Sequence, residues 1–176
     1  MLGQNVNSYG KDFSPTKINS FPKLLEKIAK IKGLNKIEFL SANPWDFSDE
    51  LIKAIAENKN ISQTIHLPLQ SGDDEILRKM NRPYTAKQYL NLIKKIKKAV
   101  PEVKFTTDII VGFPKESERQ FQNTVKVCRR IGFKKAFIAK YSPRPNTLAA
   151  NWLDDVSPSQ KKQRWQILNK LINKKS

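Results

Sequence analysis

Apolar side chains recur along the chain with two spacings. Phe21, Leu24, Leu25, Ile28 and Ile31 stand three and four residues apart, the mark of a helix with one buried face. Asn19 or Ser20 is placed to cap that helix, and Gly33 to end it. Leu51, Ile52 and Ile55 predict a second helix over 49–57, and residues 73–80 a short third one. Thr85 and Gln88 form a capping box that opens a longer helix, with Tyr89, Leu92, Ile93 and Ile96 inward and Pro101 at its end. A further helix over 118–130 closes at Gly132. Ser157-Pro158-Ser159-Gln160 opens the last helix, with Trp165, Leu168, Leu171 and Ile172 on its inner side. Between the helices lie apolar runs that predict strands over 37–40, 64–69, 103–113 and 136–141. The Ile109-Ile110-Val111 run suits a strand buried on both faces, as in parallel sheets.

Strand and helix alternate, with strands starting near 37, 64, 104 and 136. Repeated βα units with right-handed crossovers build a parallel α/β sheet or barrel. The expected fold is therefore α/β, a partial TIM-like βα barrel of about four parallel strands with flanking helices over 1–155, followed by a C-terminal helix over 156–176. In such folds the carboxyl ends of the strands carry the binding side chains. Ser41 and Asn43 follow the first strand, and His66, Gln70, Ser71 and Asp73 belong to the second. Asp108 and Gly112 end the third, and Tyr141, Ser142 and Arg144 the fourth. The stretch from His66 to Asp74, which ends one strand and opens a helix, concentrates these groups. The rim is rich in hydrogen-bonding groups. It lacks a Ser/His/Asp set, paired carboxylates, a metal-spaced cluster, a dinucleotide glycine motif and a P-loop. No residue is assigned a catalytic or metal-binding role. The pattern suits a pocket for a polar small molecule, with the chemistry carried by a cofactor. His66, the sole histidine, suits a satisfied imbedded imidazole equally well.

Composition sharpens this picture. Lys and Arg number 33 against 16 Asp and Glu, a formal net charge of +17, which favours a polyanionic partner such as nucleic acid. A Lys-, Asn- and Ile-rich lineage bias would produce the same excess. No apolar run approaches the roughly 20 residues of a membrane span, and the N-terminus lacks the basic and apolar regions of a signal peptide. With a single cysteine in the chain, a reducing, cytoplasmic setting fits. The one cysteine, Cys128, excludes an intramolecular disulfide and an iron–sulfur cluster held by this chain's own thiolates. In a helical stretch it reads as a small core residue.

Four stretches resemble a known family: Leu2-Gly3-Gln4-Asn5-Val6-Asn7-Ser8-Tyr9-Gly10, His66-Leu67-Pro68-Leu69-Gln70-Ser71-Gly72, Thr106 to Pro114, and Tyr141-Ser142-Pro143-Arg144. Asn43-Pro44-Trp45-Asp46 and Met80-Asn81-Arg82-Pro83-Tyr84-Thr85 follow the same pattern. In order and spacing they are similar to the radical-SAM methylthiotransferases, most closely the tRNA-2-methylthio-N(6)-dimethylallyladenosine synthase group. The threonylcarbamoyladenosine branch is a near alternative. The resemblance implies a radical-SAM barrel binding S-adenosylmethionine and a 4Fe–4S cluster, a second cluster in an N-terminal domain, and a C-terminal TRAM domain that helps bind tRNA. The implied reaction places a methylthio group on C2 of N(6)-isopentenyladenosine beside the anticodon, so the implied partner is the tRNA anticodon stem-loop. One S-adenosylmethionine is reduced to a 5′-deoxyadenosyl radical and a second donates the methyl group. By position, the resemblance assigns Gln4 and Asn5 to the methionine end of S-adenosylmethionine. It assigns Gln70, Ser71 and Asp108 to the ribose side, and residues 110–112 with Tyr141 to adenine. Ser41 and His66 join them on the rim.

The chain departs from the family in lacking its CxxxCxxC loop and the cysteines of the N-terminal domain. The expectation is a piece of the radical-SAM domain that is inert alone, with a cysteine-bearing half encoded nearby. The competing expectations are a non-catalytic tRNA-binding module and an unrelated βα-barrel enzyme. Lys115-Glu116-Ser117, where relatives often carry Gly or Asn before Glu-Thr, is expected to alter a loop only.

Overall fold

The computed structural model describes residues 1–3, 5–11, 20–40 and 42–174. Its helices are α1 (Phe21–Ala29), α2 (Asp49–Glu57), α3 (Asp74–Lys79), α4 (Ala86–Ala99), α5 (Glu118–Ile131) and α6 (Pro158–Ile172). Its strands, β1 (Thr64–His66), β2 (Lys104–Val111) and β3 (Lys135–Lys140), form one parallel sheet in the order β1-β2-β3. The chain divides into two compact units. One comprises Met1–Pro68 with Asn91–Phe105, the other Leu69–Leu90 with Thr106–Ser176.

In the first unit α1 packs on α2, burying Phe21, Leu25, Leu51 and Ile55. Each such side chain stabilises the fold by about 1.5–3 kcal/mol relative to exposure. Ser48 caps α2 by accepting from the Leu51 N–H, and Asp49 and Glu50 favour its positive end. Helix α1 stops at Ala29, so Ile31 falls off the apolar stripe and is exposed. Ser20 makes no side-chain cap bond. The expected strand at 37–40 reduces to a single parallel bridge between Ile37 and Ile61. Asn60 O accepts from Ile37 N and Ile37 O from Ser62 N, and among the described residues that ladder goes no further. Phe39 still packs inward, edge-on to Phe21. Asn7 and Asn43 exchange two hydrogen bonds of 2.8 and 2.7 Å, which fasten the amide-rich loop to Asn43-Pro44-Trp45. Ser8 and Lys11 both bond Asp46.

In the second unit β2 and β3 pair from Thr106↔Lys135 to Val111↔Lys140. Thr107, Ile109 and Val111 are buried, whereas Thr106, Asp108 and Ile110 are half-buried. The strand is thus not sealed on both faces as its apolar run suggests, because its second face lines an open cavity. The expected strand over 64–69 is ordered as a ladder only to His66. It resumes as a bridge between Gln70 and Ile109, since Pro68 has no N–H to give. Helix α5 opens with a capping box, Ser117 and Gln120, and closes on Gly132 in the left-handed conformation. Helix α6 opens on the expected Ser157–Gln160 box and packs on β3. Asn173 caps both backbone groups of Ala136 at 2.9 Å, and Trp165 Nε1 donates to Ile138 O at 2.9 Å.

Candidate ligand-binding site

At the end of the 64–70 run the chain turns sharply. Gln70 adopts φ +62°, a conformation that costs a residue with a Cβ about 1–2 kcal/mol. The turn is held by β2: Gln70 N donates to Asp108 O at 2.8 Å, and Ile110 N donates to Gln70 O at 3.0 Å. Buried Thr107 accepts from Leu69 N at 2.8 Å, and Tyr84 Oη donates to Leu69 O at 3.1 Å. The next three residues face elsewhere. Ser71 Oγ lies 3.3 Å from Thr124 Oγ1, which also accepts from Gly72 N at 2.8 Å. A Cβ on Gly72 would meet the Thr124 backbone at 2.6 Å, so only glycine admits this approach to α5. Asp73 caps α3 and accepts from Asn123 Nδ2 at 2.9 Å. The stretch His66 to Asp74 therefore splits: Gln70 lines a cavity, and Ser71 to Asp73 seat α3 on α5.

The cavity has a volume of about 1170 Å³ and lies wholly within the second unit. Of the rim residues expected from sequence, Gln70, Asp108, Tyr141, Ser142 and Arg144 line it together. Gly112 does not. It has φ +70°, its N–H donates to Glu116 Oε2 at 2.7 Å, and a Cβ there would meet Lys161 Cγ at 2.3 Å. Asn5 precedes the Val6–Ser8 turn and His66 ends β1, both in the first unit. Gln4 and Ser41 lie outside the described residues.

Sequence reading missed Phe113, Trp152 and four of the five lining cations. Phe113, Tyr141 and Trp152 form an aromatic wall, with ring centroids 5.0 Å (Phe113–Tyr141) and 6.0 Å (Phe113–Trp152) apart, both edge-on. Five cations, Arg78, Lys79, Arg82, Lys140 and Arg144, line the same space beside a single carboxylate, Asp108. Arg82 Nε is buried without a hydrogen-bond partner. The Asn81-Arg82-Pro83-Tyr84 motif was the available signal for Arg82; nothing local marked Trp152.

Behind the wall, Glu116 and Arg164 pair at 2.9 Å, both buried. Burial holds the Glu116 carboxyl above its usual range, against the Gly112 N–H and Arg164. Lys115 stands at φ +62° and its N–H donates to Asp155 at 2.7 Å. The 115–117 segment also ties the end of β2 to α6 and the residues just before it. Its left-handed Lys115 occupies a conformation that Gly or Asn adopts at less cost.

Residues 14–128 match the family model described as the Radical SAM superfamily. The chain belongs to the radical SAM superfamily. A protein of Oceanobacillus iheyensis named tRNA-2-methylthio-N(6)-dimethylallyladenosine synthase is 48% identical over 176 residues, covering 100% of this chain and 34% of its own length. Relatives of the same name from Fusobacterium nucleatum and Caldicellulosiruptor saccharolyticus are 47% and 48% identical, covering 99% and 98% of this chain and 40% and 36% of their own. The chain thus spans about a third of the length of the curated relatives it matches. Among solved structures, coproporphyrinogen III oxidase of Escherichia coli, described as a radical SAM enzyme, aligns with a TM-score of 0.67 at 18% identity, over 92% of this chain and 38% of its own. SuiB of Streptococcus suis bound to precursor peptide aligns at 0.51 and 15%, over 98% and 45%. These two likenesses are of fold.

Radical SAM proteins use S-adenosylmethionine and a 4Fe–4S cluster. The residues here do not fit the cluster. Cys128, the one cysteine, is buried in α5, and burial pushes its thiol up to about 12. Among the described residues, no three His, Cys, Asp or Glu side chains gather as a metal site. The cavity does fit S-adenosylmethionine in kind: flat rings for a planar base, and Gln70 with Asp108 for hydroxyl groups. Its volume exceeds the roughly 300–1,000 Å³ of common small-ligand sites.

Proposed function

We propose that this chain forms part of the radical-SAM domain of a cytoplasmic tRNA methylthiotransferase, one that adds a methylthio group to C2 of N(6)-isopentenyladenosine beside the anticodon. The observation that carries the reading is the match, over the whole of this chain at 48% identity, to a relative named for that product. The cavity supports it. In our assignment Gln70 and Asp108 hold the ribose side of S-adenosylmethionine and the Phe113–Tyr141–Trp152 wall holds its adenine. The five lining cations meet phosphates of the RNA. S-adenosylmethionine would supply the methyl group. The relatives' names favour the isopentenyl over the threonylcarbamoyl substrate.

Calorimetry with S-adenosylhomocysteine tests the cofactor assignment. The 176-residue chain is expected to bind it, and Asp108→Asn to weaken binding about tenfold, the loss of one charge-assisted hydrogen bond. Absence of binding by the wild-type chain would overturn the assignment. Binding of tRNA without S-adenosylhomocysteine would favour the tRNA-binding module, a reading that the cationic lining also supports. We further infer that the chain alone does not cleave S-adenosylmethionine reductively, because its single buried cysteine cannot hold a cluster. Anaerobic iron–sulfur reconstitution is expected to give no stoichiometric cluster. Cluster uptake with formation of 5′-deoxyadenosine would sink that inference.

A further inference from the structure

The segment between β3 and α6 supplies Arg144, Leu148 and Trp152 to the cavity, yet has almost no core of its own. Leu148 and Leu153 are 82% and 78% exposed, and only Val156 is buried. Besides the Trp152–Phe113 ring contact and buried Val156, what holds the segment is a set of polar ties. Tyr141 Oη donates to Ala149 O at 2.9 Å, and Asp155 accepts from Lys115 N at 2.7 Å. Most converge on Lys161. Its Nζ reaches both oxygens of Asp154 at 2.6 Å and Tyr141 O at 3.2 Å, and lies 5.3 Å from the Tyr141 ring centroid. Its methylene stem fills the space that Gly112 leaves open. The Lys161 side chain is 8% exposed and sits in the first turns of α6, where a cation opposes the helix dipole. The helix gains nothing from that charge, so its use lies in what it binds.

We propose that Lys161 and Asp154 are a positioning pair for the cavity. They latch the 142–156 segment over the carboxyl ends of β2 and β3, and so set the Tyr141 and Trp152 rings against which a planar ligand stacks. The proposal rests on the reading of this cavity as the ligand site. Neither residue lines the cavity, so both act through the wall.

Two measurements on the full chain test it, using Lys161→Met, Asp154→Asn and the double variant. The first is limited chymotrypsin digestion, read at Leu148, Trp152 and Leu153. Each single variant is expected to be cut there about tenfold faster, with cleavage elsewhere unchanged. The double variant is expected to be no faster than either, since one latch is lost in all three cases. Asp154→Glu should keep the wild-type rate. The second is S-adenosylhomocysteine affinity, expected to fall about tenfold in the same variants by loss of a pre-set wall. Unchanged cleavage of the segment in Asp154→Asn, whose side chain is 33% exposed and tolerant of change, overturns the proposal. So does acceleration that merely follows cleavage throughout the chain. If the wild-type chain binds no S-adenosylhomocysteine, the cofactor assignment fails, and the digestion rates still decide the latch.

Discussion

Gly112 shows how much a single residue can carry. Its φ of +70° already excludes most side chains, and Lys161 Cγ occupies the place of a Cβ. Gly112→Ala is therefore expected to cost about 2–4 kcal/mol, from left-handed strain and overpacking together. Urea denaturation would measure it, and a change below about 0.5 kcal/mol would contradict the packing described. The glycine was recognised in the sequence as part of a rim motif, but its partner 49 residues on was invisible there. Cys128 was legible as a core residue, and the structure places it 1% exposed. Its thiol is raised from an ordinary 9.0 to about 12 by burial. At pH 8 the folded protein should thus alkylate far more slowly than the unfolded chain. The sign follows: the buried neutral thiol adds stability below pH 9 that is lost as pH rises toward 12. Rapid iodoacetamide labelling of native protein would refute this. Ser71 taught the opposite lesson to Gln70. Both are small polar groups at a strand end, and only packing against Thr124 distinguished a seat for a helix from a wall of a site.

Helix and capping signals survived folding best at the scale of elements, because they act within a few residues. The boxes at Thr85–Gln88 and Ser157–Gln160 form as expected. The box at Ser117–Gln120 has the same spacing and went unread. Strands fared worse. The run at 37–40 has strand composition but among the described residues bridges only to Ile61, with Met1 meeting the backbone of Glu38 and Leu40, and Pro68 interrupts the ladder of the next run. Ladder bonds belong to pairs of segments, so composition alone does not count them. The edge of β3 illustrates this. Its outward backbone groups at Ala136 and Ile138 are met by side chains of Asn173 and Trp165. Asn173→Ala removes both bonds at Ala136 and should cost about 1–3 kcal/mol, and Trp165→Phe about 1 kcal/mol plus packing. Thermal denaturation checks both. An unaltered Tm for Asn173→Ala would show that water replaces the cap without loss.

For the molecule as a whole, charge was the broadest clue. The excess of +17 suggested a polyanion without saying where it binds. Folding gathers Arg78, Lys79, Arg82, Lys140 and Arg144 around one cavity from segments separated in sequence. If these five cations meet RNA phosphates, log affinity for tRNA should fall against log salt with a slope near −3.5 at about −0.7 per contact, roughly a hundredfold loss from 50 to 200 mM salt. Filter binding across that range is the measurement, and a flat response would exclude the phosphate role. The chain carries no described helix long and apolar enough to cross a membrane.

By itself the sequence determined the run of helices, the capping boxes, the family, and the lack of thiolates for a cluster. These follow from local periodicity, short motifs and residue counts, none of which needs a distant partner. The sequence also put Gln70, Asp108 and Tyr141 at one pocket; tertiary structure alone decided that Ser71 and Gly112 brace the chain behind it instead of lining it. It alone joined Lys161 to Asp154, Tyr141 and Gly112. The reason is physical. Which face a polar side chain presents depends on the segment packed against it, and that segment lies dozens of residues away in the chain.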